Sequence, residues 1–295
     1  MAEKVWTIGR ILRWTEQYFS EKGIETPRLD AEVLLSHVLG KERIYLYVHF
    51  DEPLEKGELA AYRELVKGRV QRVPVAYLAG QKEFMGLRFR VNPSVLVPRP
   101  ETEILVQAAL ERLKALQGEQ APLLFADIGT GSGAICLSVL HFLPGSRAAT
   151  VDISGDARSV AEENAAALGL SERVDFLTGD LLEPLEGRTF TAILSNPPYI
   201  PDGEISSLPP EVRLHEPRAA LAGGPDGMEF YRRLAAEAPA LLEPDGFLAL
   251  EAGIQQAKAV AGLAEENPLI ARTEILEDLA GIERVVIAWR GGSAA

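Results

Sequence analysis

Cysteine is almost absent from this sequence: Cys136 is the one cysteine in 295 residues, so no disulfide can form within the chain. A chain of this kind suits a reducing compartment, and we expect a cytoplasmic protein. The sequence also lacks any apolar run near the ~18 residues that a membrane span needs. Its first residues, Met1 to Trp6, lack the charged and then apolar order of a signal peptide. We therefore expect no membrane partner.

Basic residues are scarce after residue 80. Residues 1–80 contain 12 basic and 12 acidic side chains, whereas residues 81–295 contain 18 basic and 31 acidic ones, for a net charge of −13. Docking along a phosphate backbone depends on clustered lysine and arginine, so this balance disfavours a stable nucleic-acid partner. It favours a protein or a small molecule as substrate. The four histidines are scattered without the spacing of metal ligands, and we expect no bound metal.

Three regions of different pattern follow each other along the chain. Residues 1–73 carry apolar residues at helical spacing and form a predicted helical domain. Residues 74–97 have the pattern of a β-hairpin with a tight turn near Gly86, and we interpret them as a linker. Residues 98–295 form the larger predicted domain, which opens with a helix at Pro100.

Strands and helices alternate from Leu123 onward, which is typical of a doubly wound, mostly parallel sheet with helices on both faces. The predicted fold class is α/β with a seven-stranded sheet. The predicted strands are Leu123–Ile128, Arg147–Ile153, Val174–Thr178, Thr191–Ser195, Phe247–Ala252, Arg272–Glu277 and Arg284–Trp289. The predicted helices of this part are Ala134–Phe142, Asp156–Leu168, 229–242 and 255–264. Ligands of such sheets bind beyond the carboxyl ends of the strands.

The run Asn196-Pro197-Pro198-Tyr199 directly follows one of these predicted strands. Two prolines fix two φ angles and remove two backbone donors, so the turn is stiff and presents one amide, free carbonyls and one aromatic face. An amide oxygen and a proline carbonyl can together accept both hydrogens of a substrate NH2 group, and the aromatic ring can stack on a planar substrate. This indicates transfer of a group onto nitrogen. Asn-Pro and Pro-Pro are also ordinary turn signals, so a plain loop is the alternative.

A glycine-rich loop, Asp127-Ile128-Gly129-Thr130-Gly131-Ser132-Gly133, closes the first strand of this region and opens a helix. Glycines at every second position let the backbone approach a ligand closely. Asp152, at the end of the second strand, can accept both hydroxyls of a ribose, which indicates a bound nucleoside. A dinucleotide is one alternative, with Ala134 as an allowed variant of its third glycine. Asp127 favours S-adenosylmethionine, because a carboxylate there faces the methionine amino group and would repel a pyrophosphate.

Charged residues outside these two motifs have weaker assignments. Asp180, at the end of the third strand, can contact an adenine amino group, but aspartate favours turn caps and a structural role is equally open. Arg99 and Glu101 are candidates for bracing the donor pocket, and helix capping explains Glu101 equally well. Arg218 is interpreted as a surface partner of Glu216.

Nearly the whole chain resembles the HemK/PrmC-type N5-glutamine methyltransferases, which modify class 1 peptide chain release factors. The Asn-Pro-Pro-Tyr turn is shared with DNA adenine and RNA guanine methyltransferases, but other matching segments are more specific. These segments are Val97-Pro98-Arg99-Pro100-Glu101-Thr102-Glu103, Glu216-Pro217-Arg218-Ala219-Ala220-Leu221, Gly223-Gly224-Pro225-Asp226-Gly227 and Asp278-Leu279-Ala280-Gly281-Ile282-Glu283-Arg284-Val285-Val286.

The resemblance implies a class I S-adenosylmethionine-dependent methyltransferase that methylates the glutamine of a Gly-Gly-Gln motif and so tunes translation termination, with S-adenosylhomocysteine as product. It implies cofactor contacts from Gly129 to Gly133, at Asp152 and at Asn196. It implies that the turn from Asn196 to Tyr199 holds the substrate glutamine and that the helical domain docks the release factor. Leu181 departs from the pattern, since some members carry an aromatic residue there that packs on adenine. A leucine can cover the ring but cannot stack on it.

Other functions stay open at this point. A glutamine methyltransferase of a ribosomal protein and an N-methyltransferase of a DNA or RNA base would use the same turn. A non-catalytic module could hold S-adenosylmethionine or a protein partner with this fold, although it would not need both motifs. An NAD-dependent dehydrogenase would use a similar glycine loop. We expect a monomer.

Overall fold

The structure of the protein is a computed structural model that describes residues 5–116 and 123–292. Residues 1–4, on which the expectation about a signal peptide partly depends, lie outside the described residues. The chain divides into two compact units. One takes in Met1–Gln81 and Pro209–His215, and the other takes in Lys82–Leu208 and Glu216–Ala295. The roles predicted for the domains at 1–73, 74–97 and 98–295 stay predictions.

The first unit is helical. Its helices include α1 (Ile8–Glu21), α2 (Pro27–Leu39), α3 (Arg43–Val48), α4 (Lys56–Val70) and α5 (Val75–Ala79). α2 begins at Pro27, whose missing N–H costs nothing in a first helical turn, and it ends at Gly40, whose φ of 61° is left-handed. Buried apolar side chains of these helices, such as Leu12, Phe19 and Leu35, form a core of their own. The unit therefore has the separate core that an independent domain needs.

A β-hairpin follows α5. Its strands, β1 (Gln81–Phe84) and β2 (Leu87–Arg90), pair across a turn at Met85 and Gly86, whose φ angles of 52° and 71° are those of a type I′ turn. The predicted hairpin is therefore present, with its turn where the sequence indicated it. The sequence did not indicate α5, because a helix of five residues is too short to show apolar periodicity.

The second unit is built on a seven-stranded sheet. The strands are β3 (Leu124–Ile128), β4 (Arg147–Asp152), β5 (Val174–Thr178), β6 (Phe190–Ser195), β7 (Leu242–Glu251), β8 (Ile270–Glu277) and β9 (Glu283–Arg290). Their order is β5-β4-β3-β6-β7-β9-β8. β3 to β7 run parallel, whereas β9 is antiparallel to both β7 and β8. The predicted α/β fold class with a mostly parallel sheet is confirmed.

Helices cover both faces of this sheet. The remaining helices are α6 (Thr102–Leu116), α7 (Ala134–Phe142), α8 (Gly155–Leu168), α9 (Pro210–His215), α10 (Glu229–Glu237) and α11 (Ala257–Glu265), of which α9 belongs to the first unit. Successive strand residues point to opposite faces. Phe125 therefore packs in the apolar cluster that holds α6 and α7, and its neighbour Ala126 packs in the cluster that holds α10 and α11. This is the doubly wound arrangement that the alternating pattern predicted.

Two predicted boundaries were wrong by several residues. The helix predicted over 229–242 ends at Glu237 as α10, and Ala238–Leu241 forms a 3-10 turn because Pro239 has no N–H to continue the helix. β7 begins at Leu242 rather than at Phe247. Its first residues include Pro244-Asp245-Gly246, which in a sequence indicate a turn.

The chain order of the strands reverses between β3 and β6. From β3 the chain continues outward through β4 to β5, and from β6 it continues through β7 on the other side. A crevice forms beyond the carboxyl ends of the strands at such a switch point, and ligands of open α/β sheets bind there.

Candidate functional site

Two loops leave the sheet side by side at this switch point. We call residues 129–133 the glycine loop and residues 196–199 the proline turn. Ile128 pairs with Ser195 at the carboxyl ends of β3 and β6. The Ser195 hydroxyl donates to the backbone oxygen of Ile128 over 2.7 Å. Ligands held by the two loops would therefore lie close to each other.

The glycine loop adopts a backbone that other residues disfavour. Gly129, Gly131 and Gly133 have φ angles of 82°, 53° and 80°. The loop is tied to β4, because the N–H groups of Gly129 and Thr130 donate to the Val151 oxygen over 2.8 and 3.1 Å. A Cβ at Gly131 would meet nothing within 4 Å, so the loop faces open space there. The loop is thus shaped by its own backbone and leaves room for a ligand.

Asp152 is fixed by backbone donors. The N–H of Gly131 donates to its Oδ2 over 2.8 Å, and the N–H of Ser154 donates to its Oδ1 over 2.9 Å. A carboxylate offers about four lone-pair sites, so each oxygen can accept a further hydrogen bond. This arrangement suits two neighbouring hydroxyl groups of a ligand.

Asp127 is fully buried and only partly satisfied. The N–H of Cys136 donates to its Oδ2 over 3.1 Å, while Oδ1 has no hydrogen-bond partner among residues 5–116 and 123–292. Burial is the main reason that the pKa of this carboxyl lies well above its usual range, and the charge of Asp152 raises it further. A buried acceptor without a partner is costly, so a donor group supplied by a ligand would stabilise it.

A cavity of about 340 Å³ opens at the two loops, a size within the range of small-molecule pockets. It brings together most of the predicted site residues. Those that line it are Gly129, Gly131, Asp152, Asp180, Leu181, Asn196, Pro197 and Pro198. The predicted residues that do not line it are Asp127, Thr130, Ser132 and Gly133, which are buried, and Tyr199, which is half-buried.

Asp180 has a partner that the sequence did not reveal. Arg233 of α10 donates to both of its carboxylate oxygens over 3.1 and 2.8 Å. An adenine amino group would share the carboxylate with this arginine, and the contact stays a prediction. Phe230, also from α10, lines the same cavity as Leu181 and brings to it the aromatic ring that Leu181 lacks.

The Asn196 side chain is held by Thr102. Its Nδ2 donates to the Thr102 hydroxyl over 3.1 Å. Thr102 is the first residue of α6, which begins there rather than at the predicted Pro100. Because the amide nitrogen is engaged on this side, Oδ1 is the atom of Asn196 that can accept from a ligand.

Glycines pack tightly against the rest of the proline turn. A Cβ at Gly223 would lie 2.7 Å from the Cα of Tyr199, and a Cβ at Gly227 would lie 2.3 Å from the backbone oxygen of Tyr199. The side-chain Nε2 of Gln256 donates to that same oxygen over 3.1 Å. The Gly-Gly-Pro-Asp-Gly segment therefore supports the turn at a distance that no larger residue allows.

A buried carboxyl group lies next to the proline turn. Glu251 ends β7 and is 3% exposed. Burial raises its pKa to about 7, while hydrogen bonding from Thr102 and Asn196 and the charge of Arg284 act in the opposite direction. Burial also raises the pKa of Tyr199, and the charge of Glu251 adds to that effect.

Arg99 braces one wall of the cavity through Glu216. It donates to both carboxylate oxygens of Glu216 over 2.7 and 2.8 Å, and Glu216 is buried. The next residue, Pro217, lines the cavity. The predicted pairing of Arg218 with Glu216 was wrong, because Glu216 points inward to Arg99 and Arg218 lies 3.8 Å from Asp202.

Family models match both units of the chain. The PrmC N-terminal domain matches residues 10–80, and the Methyltransferase small domain matches residues 102–209. The release factor glutamine methyltransferase of Geobacter sulfurreducens is 46% identical over 288 residues, which cover 97% of this chain and 98% of that protein. The one of Rhodopirellula baltica is 44% identical over 282 residues, which cover 95% of each protein. This chain belongs to the release factor glutamine methyltransferase family.

A solved structure shows the same fold. A methyltransferase from Pyrococcus furiosus superimposes with a TM-score of 0.50 and 18% identity, covering 70% of this chain and 90% of that chain. This chain thus shares the α/β architecture of that enzyme. S-adenosylmethionine is the general cofactor of methyltransferases of this class.

The part of the chain that the structure describes has neither a metal cluster nor a membrane-spanning helix. Across residues 5–116 and 123–292, no cluster of three or more histidine, cysteine, aspartate or glutamate side chains is arranged to hold a metal ion. Within the same residues, no helix combines the length and apolar character needed to cross a membrane.

Sequence reasoning missed several residues around this family's site. They are Thr102, Phe230, Glu251 and Gln256. For Glu251 a signal was available, because an acid that ends the apolar run Phe247–Leu250 is unusual in a buried strand. The other three lie in segments whose positions depend on how distant helices pack.

Proposed function

We propose that this protein transfers a methyl group from S-adenosylmethionine to the side-chain amide nitrogen (N5) of the glutamine in the Gly-Gly-Gln motif of a class 1 peptide chain release factor. The observation that carries the proposal is the adjacency of the glycine loop and the proline turn at one switch point, through the Ile128–Ser195 pair. One loop suits a nucleoside donor and the other suits an NH2 acceptor. The family of this chain supplies the class of substrate.

The residues of the glycine side fit S-adenosylmethionine. Glycines with positive φ leave space for close approach, and Asp152 presents two oxygens for the ribose hydroxyls. Oδ1 of Asp127, buried without a partner in the described part of the chain, suits the cationic amino group of the methionine moiety. When bound, the cofactor supplies an electrophilic methyl group on a sulfonium centre.

The proline turn would hold the substrate amide. Oδ1 of Asn196 and the carbonyl of Pro197 would each accept one hydrogen of the glutamine NH2 group. These contacts orient the nitrogen and favour its pyramidalisation, which restores the lone pair that the amide delocalises. They also stabilise positive charge as it develops on nitrogen. The methylated nitrogen then loses one of its two protons to solvent, and S-adenosylhomocysteine is the leaving group. Tyr199 would pack on the amide plane, and Pro198 keeps the turn rigid.

Orientation is the main contribution that these residues can make. A carboxamide nitrogen is a weak nucleophile, and fixing it relative to an electrophile can contribute up to roughly 7–11 kcal/mol in favourable cases. Asn196 is therefore the residue whose loss should affect the reaction most.

We assign docking of the release factor to the helical unit. Residues 1–80 are balanced in charge, with 12 basic and 12 acidic side chains. Several apolar side chains of this unit are exposed, including Trp14, Ile44 and Val48, and are accessible to a protein partner. Because release factors act in translation, the proposed site of the reaction is the cytoplasm, with the enzyme as a monomer.

The test is a methylation assay with labelled S-adenosylmethionine and purified class 1 release factors. Mass spectrometry of the digested release factor should find one additional methyl group on the Gly-Gly-Gln glutamine. A release factor with that glutamine replaced by alanine is the matched control and should take up no label.

Competing substrates decide between the proposal and its alternatives. Purified ribosomal proteins, DNA and RNA are offered under the same conditions. Label on one of these, with none on the release factor, would overturn the substrate assignment. Label on none of them, together with no measurable binding of S-adenosylmethionine, would overturn the proposed reaction.

A further inference from the structure

Glu251 is a charged residue in a place that otherwise holds apolar ones. It ends the strand β7 after Phe247–Leu250, all of which are buried. Leu250 pairs with Ser195 of β6, so Glu251 and Asn196 leave their neighbouring strands at the same level. Oε2 of Glu251 is buried without a hydrogen-bond partner in the described part of the chain. Burying a polar group without a hydrogen-bond partner lowers the stability of the fold. Exceptions to the rule that buried polar groups are paired occur mainly at functional sites.

Two polar side chains face this carboxyl group. The Thr102 hydroxyl and the Asn196 amide both contribute hydrogen bonding that favours its ionised form. Thr102 also accepts from Nδ2 of Asn196 over 3.1 Å. The three side chains therefore form one connected network beside the proline turn.

Other titratable groups surround the carboxyl from the neighbouring elements. Arg284 of β9 acts on it as a positive charge, and Glu101, just before α6, acts as a negative one. The charge of Glu251 raises the pKa of Tyr199 of the proline turn and of Tyr231 of α10. The Tyr231 hydroxyl also donates to the Glu251 backbone oxygen over 2.9 Å. The Arg284 side chain also donates to the Asp278 carboxylate over 3.1 Å, so its positive charge interacts with both Asp278 and Glu251.

The network determines which way the Asn196 amide points. An ionised carboxylate only accepts hydrogen bonds, so it attracts the NH2 end of the amide and repels the oxygen end. Thr102, which donates its hydroxyl hydrogen to the carboxylate, is then also an acceptor for that NH2 end. Oδ1 is thereby directed away from Glu251 and Thr102. A protonated carboxyl could donate to Oδ1 instead and stabilise the opposite orientation.

We propose that Glu251 is a positioning residue that, in its ionised form and through Thr102, holds the Asn196 amide with Oδ1 available to the substrate. This rests on the proposed function of Asn196 as acceptor of the glutamine NH2 group. The network gives the reaction a dependence on pH. Because burial raises the pKa of Glu251 to about 7, the carboxylate forms as the pH rises through neutrality. The kcat should therefore rise over the same range.

The first experiment compares kcat, KM for the release factor and Kd for S-adenosylmethionine across about pH 6 to 8.5, where Glu251 changes its charge. Glu251→Gln should lower kcat by about 100-fold at high pH, because the amide of Asn196 loses its fixed orientation, and should abolish the rise of kcat with pH. The Kd for S-adenosylmethionine should stay unchanged. Thr102→Val should lower kcat in the same way, and Thr102→Ser should restore it.

The matched control is Glu243→Gln. Glu243 lies on the same strand, and its Oε2 accepts from the Thr191 hydroxyl over 2.9 Å, so it is also a glutamate bonded to a threonine. It is absent from the cavity lining. This variant should keep both the kcat and the pH profile. The double variant Thr102→Val with Glu251→Gln should be no worse than the stronger single variant, because both changes break one network.

A second readout does not use activity. NMR of the carboxyl carbon of Glu251 should show a midpoint near neutral pH, and the side-chain amide signal of Asn196 should shift with the same midpoint. In Glu251→Gln the Asn196 signal should no longer titrate in this range. This readout remains available if Thr102→Val is the only variant that folds well enough for study, because that variant keeps both Glu251 and Asn196.

The proposal is overturned if Glu251→Gln keeps the kcat and pH profile, or if the Asn196 amide signal does not follow the Glu251 titration. A failure of the proposed function is distinguishable from this. The native protein would then methylate no release factor, while the coupled titration of Glu251 and Asn196 would still report whether the positioning network exists.

Discussion

The glycine loop and the proline turn lie side by side, but they are held in shape in different ways. The glycine loop depends on nearby chain, as in the hydrogen bond from Gly131 to Asp152, which are 21 residues apart. The proline turn depends on distant chain. Asn196 is bonded to Thr102 across 94 residues, and Tyr199 is bonded to Gln256 across 57 residues.

Because of this difference, the two sides of the site should respond differently to substitutions at distant positions. A loop shaped by its own glycines and its neighbouring strand keeps its form when remote packing changes. The proline turn is supported by α6, by the end of β7 and by the Gly-Gly-Pro-Asp-Gly segment. A small displacement of any of these three supports therefore also displaces the turn. Since catalysis by orientation is sensitive to misplacement of about 1 Å, substitutions around the proline turn should change kcat more than cofactor affinity.

The largest effect is expected for Asn196→Ala. Removing the proposed acceptor of the substrate NH2 group should lower kcat by about 10²–10³-fold, as for other groups that stabilise charge in a transition state. Single-turnover methylation measures the rate, and calorimetry should show an unchanged Kd for S-adenosylmethionine. Asn267→Ala is the control, because Asn267 donates to the backbone oxygens of Ala235 and Ala236 and is absent from the cavity lining. Turnover of Asn196→Ala near the native rate would contradict the role of the proline turn.

The next effect concerns stability and pH. The folded-state pKa of Glu251 is raised from 4.5 to about 7, so its ionisation destabilises the folded protein as the pH rises through this interval. Glu251→Gln removes that loss. Its free energy of unfolding relative to the native protein should increase by up to about 3 kcal/mol between acidic pH and pH above 7, at 1.36 kcal/mol for each unit of pKa.

Urea unfolding at several pH values measures this difference. Glu243→Gln should show no comparable change with pH. A Glu251→Gln variant whose relative stability is the same at acidic and alkaline pH would show that Glu251 does not ionise within the folded protein in this range.

A smaller effect, on binding rather than rate, is expected on the glycine side. Asp152→Ala should weaken S-adenosylmethionine binding by at least about 10-fold, because each of the two proposed hydrogen bonds to its carboxylate contributes about 1.5–3 kcal/mol. At saturating cofactor the kcat should change little. Calorimetry and saturation kinetics separate the two quantities, and an unchanged Kd would remove the proposed ribose contact.

The last prediction concerns the packing behind the proline turn and is tested with Gly227→Ala. A left-handed φ of 73° costs a residue with a Cβ about 1–2 kcal/mol. The added Cβ would also press on the Tyr199 backbone oxygen, so kcat should fall while the Kd for the cofactor stays the same. Gly187→Ala is the matched control, since Gly187 also has a left-handed φ, of 76°, and a Cβ there meets nothing within 4 Å. Equal kinetics for the two variants would show that this support of the proline turn is dispensable.

Much of the fold was predictable because its signals are local. Alternating strands and helices indicate a doubly wound sheet, and Gly86 between two short strand-like runs indicates a hairpin with a tight turn. The errors lie where a local signal conflicted with packing. Pro244-Asp245-Gly246 indicates a turn but is drawn into β7, and Arg218 lies next to Glu216 in the sequence while the buried carboxylate of Glu216 is bonded to Arg99.

The sequence by itself determined the α/β fold class, the glycine loop, the proline turn and the resemblance that names the family. These features depend on residues close together in the chain, whose backbone preferences and spacing carry the information. Only the tertiary structure decided that Thr102 and Glu251 stand beside Asn196, that Arg233 pairs with Asp180, and that Gly223 and Gly227 press against Tyr199. Such contacts join segments whose separation in sequence bears no relation to their distance in space, because the parallel sheet brings the carboxyl ends of distant strands to one edge.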